Sequence, residues 1–358
     1  MTTFFQKILL HIMIAATCFN LNVFAGQSAE PSLQLKWIRE TFPTGWINDT
    51  KNVYKNESAL QELKNMEPAS KEVMEAKIQV LHTALEASEP ILLRKAIKII
   101  ISEFEFVPDA YRVLILKNLN IANLDFFELA KLTYALRTLK TGNHEVLALK
   151  IGLLGQISEG SFSLVGKFAS GGLCSIAGCR TLDHQDQLKL VNTIAEFNWN
   201  QNSISVLPLF EWSHLYNGIN ALRDLLAVDR DIQKIRIETI LAALSSEIYV
   251  VGRHAARALK SVTPELPDSF SQNLFLERLE IKSIYNDPVG LKDLIDAVAG
   301  IDAKTLEVRK MQIDRLNKIG RESAYAHLSN RANTAATRLR DKRISRETVS
   351  VCAQFYAR

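Results

Sequence analysis

The strongest constraint on this chain is how little it is punctuated. Only 15 glycines and 9 prolines are spread over 358 residues. Between them run segments whose apolar residues recur at the helical period. Glu72 to Ala87 is one example: Val73, Ala76, Ile78, Val80, Leu81, Ala84 and Leu85 form one broad stripe. Pro90 opens the next segment, Ile91 to Phe104, and Pro108 precedes Ala110 to Leu119. Asp125 stands before Phe126 to Leu139, Gly142-Asn143 gives a stop, and His144 to Ile157 follows. The period returns at Gln185 to Phe197, Leu215 to Val228, Asp231 to Leu244 and Glu247 to Val262. Apolar content of 47% and charged content of 23% are ordinary for a folded protein, so this pattern predicts an all-α chain.

Four stretches follow. Residues 1–25 have the anatomy of a secretory signal peptide: Lys7, an apolar run from Ile8 to Ala16, and Val23-Phe24-Ala25 as cleavage site. Cleavage there makes Gly26 the new N-terminus and predicts a periplasmic or secreted protein. The alternative, a lipid anchor at Cys18, suffers from the poor match of Ala15-Ala16-Thr17 to a lipobox. Residues 26–65 form an N-terminal cap, 66–262 a helical array, and 263–358 an arginine-rich C-terminal segment. Within the array, 158–184 breaks the period with its glycines and serines. It reads as a long loop or a glycine-rich helical hairpin.

Export also bears on the cysteines. Cys174 and Cys179 bracket a short loop beside Gly171-Gly172, which predicts a disulfide under oxidising conditions. Cys352 is then left over.

The helical segments carry an imperfect repeat. Leu93-Arg94-Lys95-Ala96-Ile97, Val146-Leu147-Ala148-Leu149-Lys150 and Ile235-Arg236-Ile237-Glu238-Thr239 align with one another, and Arg253-His254-Ala255-Ala256-Arg257-Ala258-Leu259 is the fullest version. This resembles the second helix of a HEAT-type repeat, over about residues 66–262. The resemblance implies a HEAT/armadillo-like helical-repeat array, an α-α superhelix with a concave binding face and, in most such proteins, no catalysis. Gly252 stands where the repeat wants an aliphatic residue, and an irregular helical bundle is the competing architecture.

No segment carries a recognisable catalytic, cofactor or metal motif. Gly160 to Lys167 has five residues between its glycines, one too many for a phosphate-binding loop, and Phe168 replaces the magnesium-holding hydroxyl. His82, His144, His184, His214, His254 and His327 include no pair at helical ligand spacing. A net charge of +4 gives no reason to expect nucleic acid. Residues 301–358, however, hold 4 Lys and 9 Arg against 6 acids, a surface suited to an anionic membrane or an acidic partner.

Two aromatic groups stand out, Trp37/Phe42/Trp46 and Trp199/Phe210/Trp212/Tyr216. Aromatic residues anchor interfaces and also plug core ends. The candidate partner-binding residues are therefore Trp199, Phe210, Trp212 and Tyr216, with Arg338, Arg340 and Arg343. Asn48 and Asn56 begin glycosylation-type triplets. The expected function is an exported scaffold or adaptor that binds a protein or cell-envelope partner without a cofactor. The alternatives are a helical hydrolase or lyase using His184 or His214, and a secreted effector or toxin-neutralising protein.

Overall fold

A computed structural model describes residues 30–87, 89–103, 107–160, 163–178, 182–200, 212–227, 229–279 and 286–341. Among these the chain is all-α, with sixteen α-helices and no strand. The signal segment, Cys179, Phe210, Arg343 and Cys352 lie outside the described residues. Contacts divide the chain into two compact units at Leu149/Lys150.

The first unit holds α1 (Pro31–Thr41), α2 (Val53–Asn65), α3 (Lys71–Leu85), α4 (Pro90–Glu103), α5 (Asp109–Lys117) and α6 (Phe126–Thr138). Helix α7 (His144–Gly160) carries the chain into the second unit. Alternate helices pack on one another: α1 on α3 and α3 on α5, α2 on α4 and α4 on α6. Helix α3 also packs on α4, so the two rows share a core of Leu60, Leu63, Val73, Ile78, Leu92, Ala96, Ile97, Ile100, Leu132 and Leu136.

Helix starts follow the sequence closely. Ser70 accepts a hydrogen bond from the Val73 amide at the head of α3. Asp125 and Glu128 form a reciprocal capping box on α6, with bonds of 2.9 and 3.1 Å. Upstream, Trp37, Phe42 and Trp46 meet edge to face, with Phe42 and Trp46 buried. Asn56 is buried as well and donates to the Trp46 carbonyl (3.1 Å). Its amide is thus committed to the fold, and Asn48 is the exposed member of the two triplets.

The second unit holds α8 (Ser163–Ala177), α9 (His184–Ala195), α10 (Ser213–Asp224), α11 (Arg230–Leu244), α12 (Tyr249–Val262), α13 (Ser269–Arg278), α14 (Pro288–Ala299), α15 (Leu306–Glu322) and α16 (Ala326–Asp341). Here too alternate helices stack. One row runs α8, α10, α12, α14, α16 and the other α9, α11, α13, α15. Leu190, Ile194, Leu222, Ile237, Leu244, Ala255, Leu259, Leu294, Val298, Leu316 and Ala332 fill the space between them.

The glycine-rich stretch is a helix over Ser163–Ala177, which decides between the loop and the helical reading. Its small residues serve close packing, which shields the backbone without a long apolar side chain. A Cβ on Gly166 would stand 2.9 Å from the Ser158 carbonyl oxygen of α7. Asn217 of α10 reaches the Lys167 carbonyl (3.0 Å) and Ser170 Oγ (3.1 Å) of α8. Glycine's low helix propensity, about 1 kcal/mol per residue against alanine, is outweighed by this contact.

Two polar devices recur. In the first, a buried side chain of one helix satisfies the carbonyls that end the helix before it. Arg236 of α11 donates to the Leu222 (2.5 Å) and Arg223 (2.7 Å) carbonyls of α10. Gln312 of α15 donates to Val298 (2.6 Å) and Ala299 (3.3 Å) of α14, and Lys77 of α3 to Lys64 (3.2 Å) and Met66 (3.1 Å) at the end of α2. These groups would otherwise be orphaned in the core.

In the second device, the residue capping one helix is gripped by a base on the helix two before it. His184 of α9 holds Asp229 (2.5 Å), Arg230 of α11 holds Asp268 (2.6 Å), and Arg253 of α12 holds Asp287 through two 2.8 Å bonds. His184 and Arg230 each open their helix, so the first two grips occupy equivalent places.

Candidate functional site

The densest group of half-buried, chemically distinctive side chains lies on the α8–α10–α12 row of the second unit. Helix α10 contributes Tyr216 from its first turn and Arg223 and Asp224 from its last. Helix α12 contributes Tyr249, Arg253 and His254, and α8 contributes Cys174. The Tyr216 and His254 rings stack with centroids 4.3 Å apart and planes at 20°. Arg253, fixed to Asp287, also lies over the exposed Tyr249 ring, its Cζ 5.7 Å from the centroid. Tyr249 and Arg253 stand four apart on one helix, which brings ring and guanidinium together on one face.

The electrostatics of this group favour fixed charges over proton traffic. Burial pushes the Tyr216 phenol up to about 12, the neighbouring Tyr249 adds to this, and Arg253 opposes it. Burial lowers His254, and the surrounding Arg257, Arg253 and Arg223 lower it further, so its ring is neutral at physiological pH. Cys174 is a free thiol with Sγ 3.9 Å from Asp224 Oδ2. Burial and the Asp224 charge raise its pKa, which keeps it protonated and a poor nucleophile. Arg223 is locked onto Asp224 by bonds of 2.8 and 3.1 Å. The surface therefore presents stacked rings beside guanidinium groups that are neutralised by their own aspartates.

No protein-family model matches the chain, and no curated protein matches it.

Of the candidates proposed from sequence, Tyr216 belongs to this group. Trp199 is buried beside Phe197, centroids 5.9 Å apart, and its carbonyl accepts from Ser246 Oγ (2.5 Å), so it packs core. Trp212 is half-buried and precedes α10 as its cap residue. Phe210 and Arg343 fall outside the described residues. Arg338 and Arg340 are exposed in the last turn of α16, where a cation complements the negative end of the helix dipole. The expected Cys174–Cys179 bridge is not seen: Cys174 carries a free thiol, and Cys179 lies outside the described residues.

The two histidines of the hydrolase alternative are accounted for structurally. His184 grips Asp229 across α9 and α11. His214 is buried near Phe197, centroids 6.3 Å apart, and burial lowers it to about 4. Sequence reasoning missed Tyr249 and Arg253 as a pair, although their i,i+4 spacing was legible. The Tyr216–His254 stack joins residues 38 positions apart and left no local signal.

Proposed function

We propose that this protein is a HEAT-like helical-repeat scaffold that binds a protein partner through the exposed side of its α8–α10–α12 row. The observation that carries the reading is the recurrence of one grip, His184–Asp229 and then Arg230–Asp268, at equivalent places on neighbouring helices of one row. A single repeated unit of construction, with alternate helices stacked in rows, is how solenoid proteins build an extended binding surface. Tyr216, Tyr249 and His254 supply aromatic anchors of the kind that dominate protein interfaces. The buried His214, drawn down to about 4, and the protonated Cys174 favour binding over acid–base or nucleophilic chemistry at these two residues. The same reading has the chain exported and cut after Ala25, with its arginine-rich C-terminal segment facing an anionic envelope surface.

The test is a photo-reactive residue placed at Tyr249 in the full chain, expressed in the source cells. Crosslinking to one or two defined proteins, lost in Arg257→Glu and absent from a probe at Leu306 on the other row, supports the scaffold. Equal labelling from both positions overturns it. N-terminal sequencing of the recovered chain tests export, with Gly26 as the expected first residue.

A further inference from the structure

The first unit contains a different kind of surface. A groove of about 330 Å³ opens across α2, α4 and α6, lined by Gln61 and Lys64 of α2, Lys95, Lys98 and Ser102 of α4, and Lys131 of α6. Four lysines thus line one cleft together with Ile99 and Ile101, and Arg94 precedes Lys95 on α4. The acids that answer them are Glu57, 3.8 Å from Lys95, and Glu128, 3.9 Å from Lys98 and 3.7 Å from Arg94. Glu128 is buried and already serves the α6 cap through its other oxygen. Lys64 and Lys131 have no ion pair among the described residues. Five cations against two carboxylates leave the cleft strongly positive.

The face of α6 that carries Lys131 also carries two exposed rings. Phe127 and Tyr134 are 72% and 70% exposed. They stand at i and i+7 around Lys131 at i+4, so the three share one stripe of α6. Rings beside lysines are a composition that settles at a membrane–water boundary. There the ring enters the headgroup layer while the ammonium groups meet phosphate.

We infer that the Lys64–Lys95–Lys98–Lys131 groove and the exposed Phe127 and Tyr134 rings of α6 bind the phosphate headgroups of an anionic phospholipid surface. The lysines act as point charges on the phosphodiester. The concave groove admits one headgroup, and the rings make the site read a lipid surface rather than phosphate alone. This goes beyond the scaffold reading and uses none of its residues.

The experiment is co-sedimentation of the full chain with vesicles of equal parts phosphatidylglycerol and phosphatidylcholine, against pure phosphatidylcholine. The expected result is binding to the anionic vesicles only, weakened by salt. Removal of Lys64 and Lys131 together as glutamines should lower affinity about fivefold for each lysine lost. Phe127→Ser should lower it without changing the salt dependence. Lys131 and Phe127 are exposed and Lys64 is half-buried, and an unchanged thermal midpoint verifies that the fold is intact. Arg338→Gln/Arg340→Gln serves as the comparison and should have the smaller effect. Three outcomes overturn the inference: unchanged binding in the lysine double variant, loss confined to the Arg338/Arg340 variant, or a chain that binds inorganic phosphate but no anionic vesicle.

Discussion

The α2–α4–α6 row of the first unit and the helix-start acids of the second unit use their charges differently, although Lys117–Glu145 in the first unit is close (2.6 Å) and Arg257–Asp293 in the second is long (3.7 Å). In the α2–α4–α6 row the pairs between helices are long, 3.7 to 3.9 Å, and leave lysines over. In the second unit the principal pairs between helices are close: 2.5 Å for His184–Asp229, 2.6 Å for Arg230–Asp268, 2.8 Å for Arg253–Asp287 and 2.9 Å for Lys260–Asp296. Two of these acids, Asp268 and Asp287, also cap a helix, so one carboxylate fixes both a helix start and its neighbour. A cation held by such an acid shapes the fold. A cation left beside a distant acid remains available to a ligand. The difference separates a region whose polar groups are structural from one whose polar groups face outward.

The sharpest way to break this contrast is at the buried carbonyl clamps. Arg236 is 1% exposed and, although burial draws its pKa down to about 10, it stays charged at neutral pH. Arg236→Ala removes two charge-assisted bonds and leaves the end of α10 unsatisfied, a loss of about 4 kcal/mol in urea denaturation. Its counterpart Lys77→Ala, with longer bonds, should cost about 2 kcal/mol. Equal losses would erase the distinction.

Acid provides the next test. The folded pKa of His214, about 4, lies below its ordinary value of 6.5. Protonation therefore favours the unfolded chain. The stability due to the neutral ring is complete above pH 6.5 and is lost as pH falls toward 4, on the order of 3 kcal/mol. Denaturation midpoints measured across that window should fall in the wild type and flatten in His214→Phe.

A smaller effect is expected at the ion pairs themselves. Arg253→Ala leaves Asp287, 4% exposed on its side chain, without its bidentate partner and should cost about 2 kcal/mol. Lys95→Ala in the first unit should stay within about 0.5 kcal/mol. A thermal shift as large for Lys95 as for Arg253 would show that the loose pairs are structural after all.

The smallest contrast concerns two glycines. Gly166→Ala gains helix propensity but drives its methyl to 2.9 Å from a backbone carbonyl, for a net loss of about 1 kcal/mol. Gly142→Ala in the first unit meets nothing within 4 Å and should be neutral or slightly stabilising, by about 0.5 kcal/mol. A stabilised Gly166→Ala would mean that α7 and α8 can part without cost.

Much of the fold was legible because helix signals are local. Asp125 before an apolar period and Pro90 at a first turn placed α6 and α4 within a residue or two of their observed limits. The 163–177 helix was obscure because its stability comes from close contact with α10 and α7, and composition carries no record of such a contact. Trp199 illustrates the converse for the site: an aromatic residue looks the same in sequence whether it plugs a core or meets a partner.

What the sequence determined by itself was secondary structure, since capping, turn chemistry and apolar period act within a few residues. Only the tertiary structure decided which charges were consumed. Whether Arg253 has an aspartate within 2.8 Å, or Lys131 has no acid in an ion pair among the described residues, depends on helices distant in the chain, and packing alone brings them together or keeps them apart.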